Sequence, residues 1–473
     1  MEAADSLGTL PSPLTVDERR EIGKAARERL PRSAHAEYTP PAARVDPVAT
    51  LRGEDVTRVP ELVPIRYGRM LTSSFAFYRG SAVLMANDLG ANQHSQLITQ
   101  LCGDAHLSNF GGFAAPDRRL VFDINDFDET HPGPWEWDVK RLAASVAIAG
   151  RSLGHTTKQR SATVRACAAA YRLRMRELAE MGNLELWHTR MEVDKAAELL
   201  DPKRDADAIK RLNKMEAKAY TKDSLRDFAK LTHLVDGEPR IISAPPLIVP
   251  MEELVEGVEH QQINELMSRL LAEYRGTLLN DRRHLLEQYR MVHVARKVVG
   301  VGSVGTRVWI LLLLGRDDND PLFLQVKEAG QSVLEPLTGP SEYASAGQRV
   351  IAGQRLMQAA PDILIGWQNA TGYDGVEREF YLRQLKDWKV SAKVETMTPR
   401  ILELYAELCG RVLARAHARA GDRIAIAAYL GKSDAFDRAI AEFAEKYAEQ
   451  NEADFSLLQA AEADGSLEVR HGL

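Results

Sequence analysis

Cysteine is scarce in this sequence: Cys102, Cys167 and Cys409 are the 3 present in 473 residues. They stand too far apart for a metal-ligand pattern. An odd, low count excludes a disulfide framework and suits a reducing compartment. Long apolar runs are missing as well. VWILLLLG (308–315) falls far short of the roughly 18 apolar residues of a membrane span, so no membrane partner is expected. The opening MEAADSLGTLPSPLTVDERR (1–20) has neither a basic start nor an apolar h-region, and a cytoplasmic location is expected. An excess of basic charge is absent too. Lys and Arg number 61 against 67 Asp and Glu, a net charge of −6, which excludes nucleic-acid binding through a global basic field. The basic cluster DERREIGKAARERLPR (17–32) is interleaved with acids and reads as a solvated helix face. Neither a Gly-x-Ser-x-Gly elbow nor a His-Glu-x-x-His helix occurs, so serine-hydrolase and zinc-protease chemistries have no support.

What is present is ordinary globular material, 45% apolar and 27% charged, long enough for two or three packed units. Residues 1–60, rich in Pro, Ala, Arg and acids, read as an arm with one short helix. Residues 61–290 are mostly helical, with a strand or hairpin and then a helix over 64–90 and a loop at DGEPRIISAPPLIVP (236–250). Residues 291–390 turn β-rich: two apolar strands joined by a turn at GRDDNDP, a helix at 341–359, then two more strands. Residues 391–473 are helical again. The fold class is α+β.

Chemistry concentrates at LCGDAHLSNFGG (101–112), followed by the strand RLVFDI (119–124) and then Asp126, Asp128 and Glu129. Asn109 and Asp126, with Asp128 as a further oxygen donor, suit Mg2+, which takes hard oxygen ligands and keeps positions for substrate phosphates. Asp104 is then placed to orient or deprotonate an acceptor hydroxyl, and His106 to orient the loop by hydrogen bonding. Asp138 stands at an N-cap position for the helix over 137–154. Trp135 and Trp137 read as core, and Cys102 as a small buried thiol.

A second motif, GVGSVG (300–305), has the spacing of a phosphate-covering loop through Gly300, Gly302, Ser303 and Gly305. A dinucleotide fold would need a helix after the last glycine. Apolar, β-branched residues follow instead, and LFLQVKEA (322–329) then puts Lys327 inside a strand, as the phosphate-binding lysine of kinases is. The partner of that lysine is left open among Glu328, Glu335 and Glu342. Arg66, Arg69 and Arg79 could hold phosphate or pair with local acids. Arg383 and Lys386 could contact a nucleotide or acceptor.

At Gly103-Asp104, His106, Asn109, Asp126-Phe127 and Asp138-Val139 the sequence resembles the aminoglycoside-phosphotransferase branch of the protein-kinase-like fold. That resemblance implies Asp104 as catalytic base, Asn109 and Asp126 as Mg2+ ligands, and Asp138 as a buried carboxylate bracing the catalytic loop. Cys102 stands where that family has a His, and Val308 lies one residue late. Asp123 and Asp128 compete with Asp126, but the interval from Asp126 to Asp138 fits best. The glycine loop and lysine follow the catalytic loop instead of preceding it, while a helix ending LARAHARAG resembles the one that leads into a catalytic loop. The order reads as a circular permutation of a two-lobed fold, with 291–390 as the nucleotide lobe. Over nearly its whole length the chain also resembles the bacterial domain of unknown function 2252, through FAFYRG, GDAHLSNFG, DINDFDET, GVGSVGTR, LQVKEA and YLRQLKDWK.

The expectation is an ATP- and Mg2+-dependent phosphotransferase acting on an unidentified small-molecule or protein hydroxyl. The alternatives are a non-catalytic nucleotide-binding regulator, nucleotidyl transfer from the same site, and a dinucleotide oxidoreductase.

Overall fold

The computed structural model describes residues 14–198, 200–221, 224–255, 260–372, 374–385 and 388–473. It is a mixed α+β structure with several sheets. The helix Glu136–Ser152 forms the axis of the helical part, buried on nearly every side. Thr157–Glu180, Pro399–Ala420 and Ala435–Ala463 pack around it. A capping box at Thr156 and Gln159 starts the first of these, and Thr398 with Pro399 starts the second. The two helices approach so closely that a Cβ on Gly410 would lie 2.4 Å from the Cys167 carbonyl oxygen. All three cysteines are buried and free.

The N-terminal segment does not stand apart as an arm. Val16–Arg29 lies against Arg423–Leu430, with the Gly23 Cβ position 2.1 Å from the Ala425 carbonyl oxygen. Arg44 pairs with the buried Asp88 and Asp454 at 2.7 and 2.6 Å. Residues 64–90 are helical throughout, as Val63–Met70, Ser74–Gly80 and Ala82–Gly90, rather than beginning as a hairpin. Ser73 caps the middle helix through Ala76 N–H, and Tyr67, Phe75, Phe77 and Tyr78 are buried between helices, which overrides their strand preference.

Four short strands position the turn that carries Asp104 and Asn109. β1 (Ile98–Leu101) pairs antiparallel with β4 (His131–Pro134), and β2 (Phe110–Ala114) pairs with β3 (Leu120–Ile124). The stretch expected as a loop over 236–250 carries strands instead: β5 (Thr232–Val235) and β6 (Glu238–Ile241) make a hairpin, and β7 is Ile248–Pro250. β7 joins β8 (Arg290–Lys297), β9 (Val308–Leu314), β10 (Pro321–Ala329), β11 (Gly366–Thr371) and β12 (Glu377–Gln384) in one antiparallel sheet of order β11-β12-β10-β9-β8-β7. The helix Ala346–Met357 connects β10 to β11, and β13 (Val390–Ser391) adds to β2. Side chains alternate across the sheet. Val326, Phe380 and Leu382 face one side and line a cavity of about 360 Å3 with Met267 and Leu271, while Lys327 and Tyr381 face the other.

Candidate functional site

Between β1 and β2 the chain turns through Cys102–Asn109. Gly103 has φ +82, and a Cβ there would lie 2.1 Å from the Glu129 carbonyl oxygen, so only glycine fits. Asp138 holds this turn. Its helix begins at Glu136, so Asp138 lies inside the first turn and is not the N-cap residue. Its buried carboxylate accepts from Cys102 N–H (2.8 Å) and Gly103 N–H (3.0 Å) and meets His417 Nε2 at 3.1 Å. The Tyr171 hydroxyl stands 2.8 Å from His417 Nδ1 and so fixes the ring. Burial, with Asp138 nearby, pushes the Cys102 thiol well above its ordinary range.

One helical turn beyond Asp138, Arg141 places Nε 2.5 Å from Asp104 Oδ1. Asp104 Oδ2 lies 3.4 Å from His106 Nε2, and the Asp104 carbonyl accepts from the Asn109 side-chain amide at 2.7 Å. Donation through nitrogen leaves the Asn109 amide oxygen without a hydrogen bond among the described residues. His106 is buried, which pushes its pKa down to about 4 despite Asp104, so the ring is neutral at pH 7. Its Nδ1 has no partner among the described residues.

The β2–β3 hairpin brings the next acids alongside: Asn125 N–H donates to the Asn109 carbonyl at 2.8 Å. Lys327, 2% exposed on β10, meets these acids from the sheet. Its ammonium is hydrogen-bonded to Asp128 Oδ2 and lies 3.6 Å from Asp126 Oδ2. Tyr381, opposite Lys327 on β12, donates its hydroxyl to Asp128 Oδ1 at 2.7 Å. None of the three glutamates left open in the sequence is the lysine's partner; Asp128 is. Glu328 pairs with Arg307 at 3.3 Å and Glu335 lies 3.5 Å from Arg349.

The carboxylates differ in what holds them. Both oxygens of Asp123 are engaged, by Arg415 Nη2 (2.5 Å) and Ala359 N–H (3.0 Å), and the residue is 2% exposed. Asp128 is engaged at both oxygens as well, though 30% of its side chain stays accessible. Asp126 is 31% accessible and, among the described residues, accepts one long bond, from Asp128 N–H at 3.3 Å. Burial alone would raise the Asp126 pKa, but Lys327, then Arg383 and Lys389, hold it below the ordinary carboxylate range. Asp128 is raised, by burial and by Asp126 beside it. Glu129 is pushed up to about 7, chiefly by burial, although Val333 N–H donates to it at 2.8 Å.

The donors present suit a hard cation such as Mg2+ in kind. Among the described residues no three His, Cys, Asp or Glu side chains form an all-protein cage. The Asn109 amide oxygen and Asp126 supply two hard donors, the number that Mg2+ uses when phosphates and water complete its shell. Asp128 joins them only if Lys327 lets go.

The glycine loop lies between β8 and β9. Gly300 and Gly305 have φ +66 and +90. Its carbonyls turn away toward the N-terminal helices: Gly300 oxygen accepts from Arg69 Nη1 (2.5 Å), and Gly302 and Val304 oxygens accept from Arg58 Nη1 (2.8 and 2.6 Å). Val304 is buried with Val59, Leu62 and Ile65. The N–H groups of Gly302 and Ser303 make no hydrogen bond among the described residues.

Residues 58–461 match the family described as "Uncharacterized protein conserved in bacteria (DUF2252)". The chain belongs to that family. No curated protein and no solved structure matches it. The span shared with the DUF2252 family begins at Arg58, which caps the glycine loop, and takes in every side chain of the candidate site. Among the described residues of this member, no helix is long and apolar enough to cross a membrane.

Sequence reasoning brought the two motifs to light but missed Arg141, Tyr381, Arg58 and the pairing of Lys327 with Asp128. Arg141 had a signal, its place one turn after Asp138. Tyr381 had none, because its role depends on sheet register. Arg383 bonds the Asn125 carbonyl at 2.8 Å, and Lys386 lies outside the described residues.

Proposed function

We propose that this protein is an ATP- and Mg2+-dependent phosphotransferase with a two-lobed, circularly permuted kinase-like arrangement. The observation that carries the reading is the meeting of Lys327 with Asp126 and Asp128, from segments far apart in sequence. A strand lysine for the phosphates and an Asp–Asn pair for metal are the parts phosphoryl transfer uses. Three features support it. Lys327 lies on the third strand of β8–β9–β10, after a glycine loop whose Gly302 and Ser303 N–H groups are unbonded among the described residues. The helix Ala346–Met357 and then β11 and β12 follow, with β12 beside β10. The helix Pro399–Ala420 ends where Gly421 bridges Thr99 of β1, so it leads in space into the catalytic loop that it follows in sequence.

When bound, Mg2+ would neutralise charge on the transferred group, held by Asn109 and Asp126. Asp104, oriented by Arg141, aligns the acceptor hydroxyl and takes its proton. Most of the rate would come from positioning and electrostatics.

Thermal unfolding with and without Mg-ATP tests this. Ligand at a hundred times its Kd stabilises by about 2.7 kcal/mol. Wild type should shift, and Asp126→Ala and Lys327→Ala should lose the shift; no shift for wild type with millimolar ATP, GTP or ADP rejects the nucleotide site. Label from the γ- or the α-phosphate separates phosphoryl from nucleotidyl transfer. One observation favours a second reading, a non-catalytic regulator: the Lys327–Asp128 pair must open before a phosphate reaches the lysine. A nucleotide-dependent shift without turnover would select it.

A further inference from the structure

Three arginines entered the sequence analysis with the same two options, phosphate or local acid, and the structure separates them. Arg66 is fully buried and paired with Glu54 at 2.5 Å and Asp55 at 2.6 Å. Arg69 caps backbone, donating to the carbonyl oxygens of Gly300 and Leu473 at 2.5 and 3.0 Å. Arg79 does neither. Among the described residues it makes no hydrogen bond and no ion pair, and its Nε is buried without a partner. Arg419 also has lone nitrogens, but its guanidinium lies 3.9 Å over the Trp187 ring, whereas Arg79 is 6.0 Å from the Phe75 centroid, at the limit of a cation–π contact.

Its position gives the unpaired cation a meaning. Arg79 ends the helix Ser74–Gly80, and its carbonyl oxygen lies 3.3 Å from the Cβ position of Gly302. Its charge acts on His106, and it feels Asp104 and Glu395 in turn. Arg79 therefore sits beside the glycine loop, with its charge within electrostatic reach of the Asp104–His106 turn. A largely buried cation without a direct ion pair is costly unless an anion supplies one.

We propose that Arg79 binds the terminal phosphoryl group of the nucleotide. The inference rests on the phosphotransfer reading and adds a residue to it. In the transfer, the acceptor oxygen forms a bond to the γ-phosphorus and the bond from that phosphorus to the β–γ bridging oxygen breaks. The bonding pair leaves with the diphosphate, and the acceptor proton passes to Asp104. Arg79 exchanges no proton; it offsets charge on the non-bridging γ-oxygens.

The test is calorimetric titration of the full chain with Mg-ATP and, separately, Mg-ADP, for wild type, Arg79→Met and Arg79→Lys. A charge-assisted contact to the γ-phosphate is worth about ten- to a hundredfold in affinity. Arg79→Met should lose that factor for Mg-ATP and keep Mg-ADP within about twofold, with Arg79→Lys between. Equal affinity of wild type and Arg79→Met for Mg-ATP overturns the assignment, and so does an equal loss for both nucleotides. If wild type binds neither nucleotide, the phosphotransfer reading fails and this assignment falls with it. Melting of the free variants guards against misfolding: removal of an unpaired charge should not lower the apo Tm. If Arg79→Met does melt early, Arg79→Lys carries the same ATP-against-ADP comparison.

Discussion

Asp123 and Asp126 leave the same hairpin three residues apart and enter opposite surroundings. Asp123 joins Asp138 in a brace beneath the loop, where each carboxylate oxygen has a donor and the cations and histidine that match them, Arg415 and His417, are buried too. Asp126 joins Asp128 and Lys327 in a cluster where two carboxylates share one ammonium and a third of each stays accessible. In the brace every carboxylate oxygen is matched by a donor. The cluster is incomplete: it has more negative charge than its lysine cancels, and a metal or a moving lysine would change its balance. Completed carboxylates shape a site, while under-compensated ones are available to act in it.

Breaking the brace should have the largest effect on stability. Asp123→Ala leaves the Arg415 guanidinium buried without its partner and should cost about 3–5 kcal/mol in urea unfolding. A loss under about 1 kcal/mol would mean that the brace is not what fixes the hairpin. Lys327→Met attacks the cluster instead. Two adjacent carboxylates then lose their counter-charge, at a cost of about 2–4 kcal/mol at pH 8. That loss should shrink as pH falls to 5. Without the lysine the folded pair holds protons more tightly than the unfolded chain, so acidification favours the folded state. A pH-independent loss would show that packing rather than charge was removed.

Glu129 sharpens the contrast from within the same segment. Its unfolded value is 4.5 and its folded value about 7. Between these the folded state binds more protons, so stability falls as pH rises through that window, and the full cost stands above 7. Glu129→Gln keeps an acceptor for Val333 N–H and should gain about 1–3 kcal/mol at pH 8 and little at pH 4. Denaturant midpoints at the two pH values check this.

How much of this was legible in the sequence differs between the two regions. Asp104, Asn109, Asp126 and Lys327 were visible because spacing within a motif survives folding, and the strand–loop–strand at 290–329 followed from apolar runs around a glycine loop. The helices of 64–90 were not legible, since aromatic residues suit a strand and a packed helix equally until the neighbours are known. Asp138 was correctly expected at the loop but wrongly as a cap, because a first-turn carboxylate can turn outward to another segment's N–H groups. The partner of Lys327 was illegible in principle: Asp128 reaches it only through packing of the sheet on the segment that follows β3.

The smallest effect separates two glycines that belong to the two regions. Gly103, in the brace, has φ +82 and no room, so alanine there must move the Glu129 carbonyl. Gly302 has the Arg79 carbonyl oxygen, 3.3 Å from its Cβ position, as its one neighbour within contact. Alanine also narrows the unfolded ensemble, which offsets a slight native crowding, so Gly302→Ala should change stability by less than about 1 kcal/mol. Its N–H, unbonded among the described residues, is what a phosphate would approach on the proposed reading, and a methyl beside it would hinder that approach. The expected pattern is a Tm near that of wild type with a reduced Mg-ATP shift. A lowered Tm with an unchanged shift would place Gly302 with Gly103, as a glycine required by the fold.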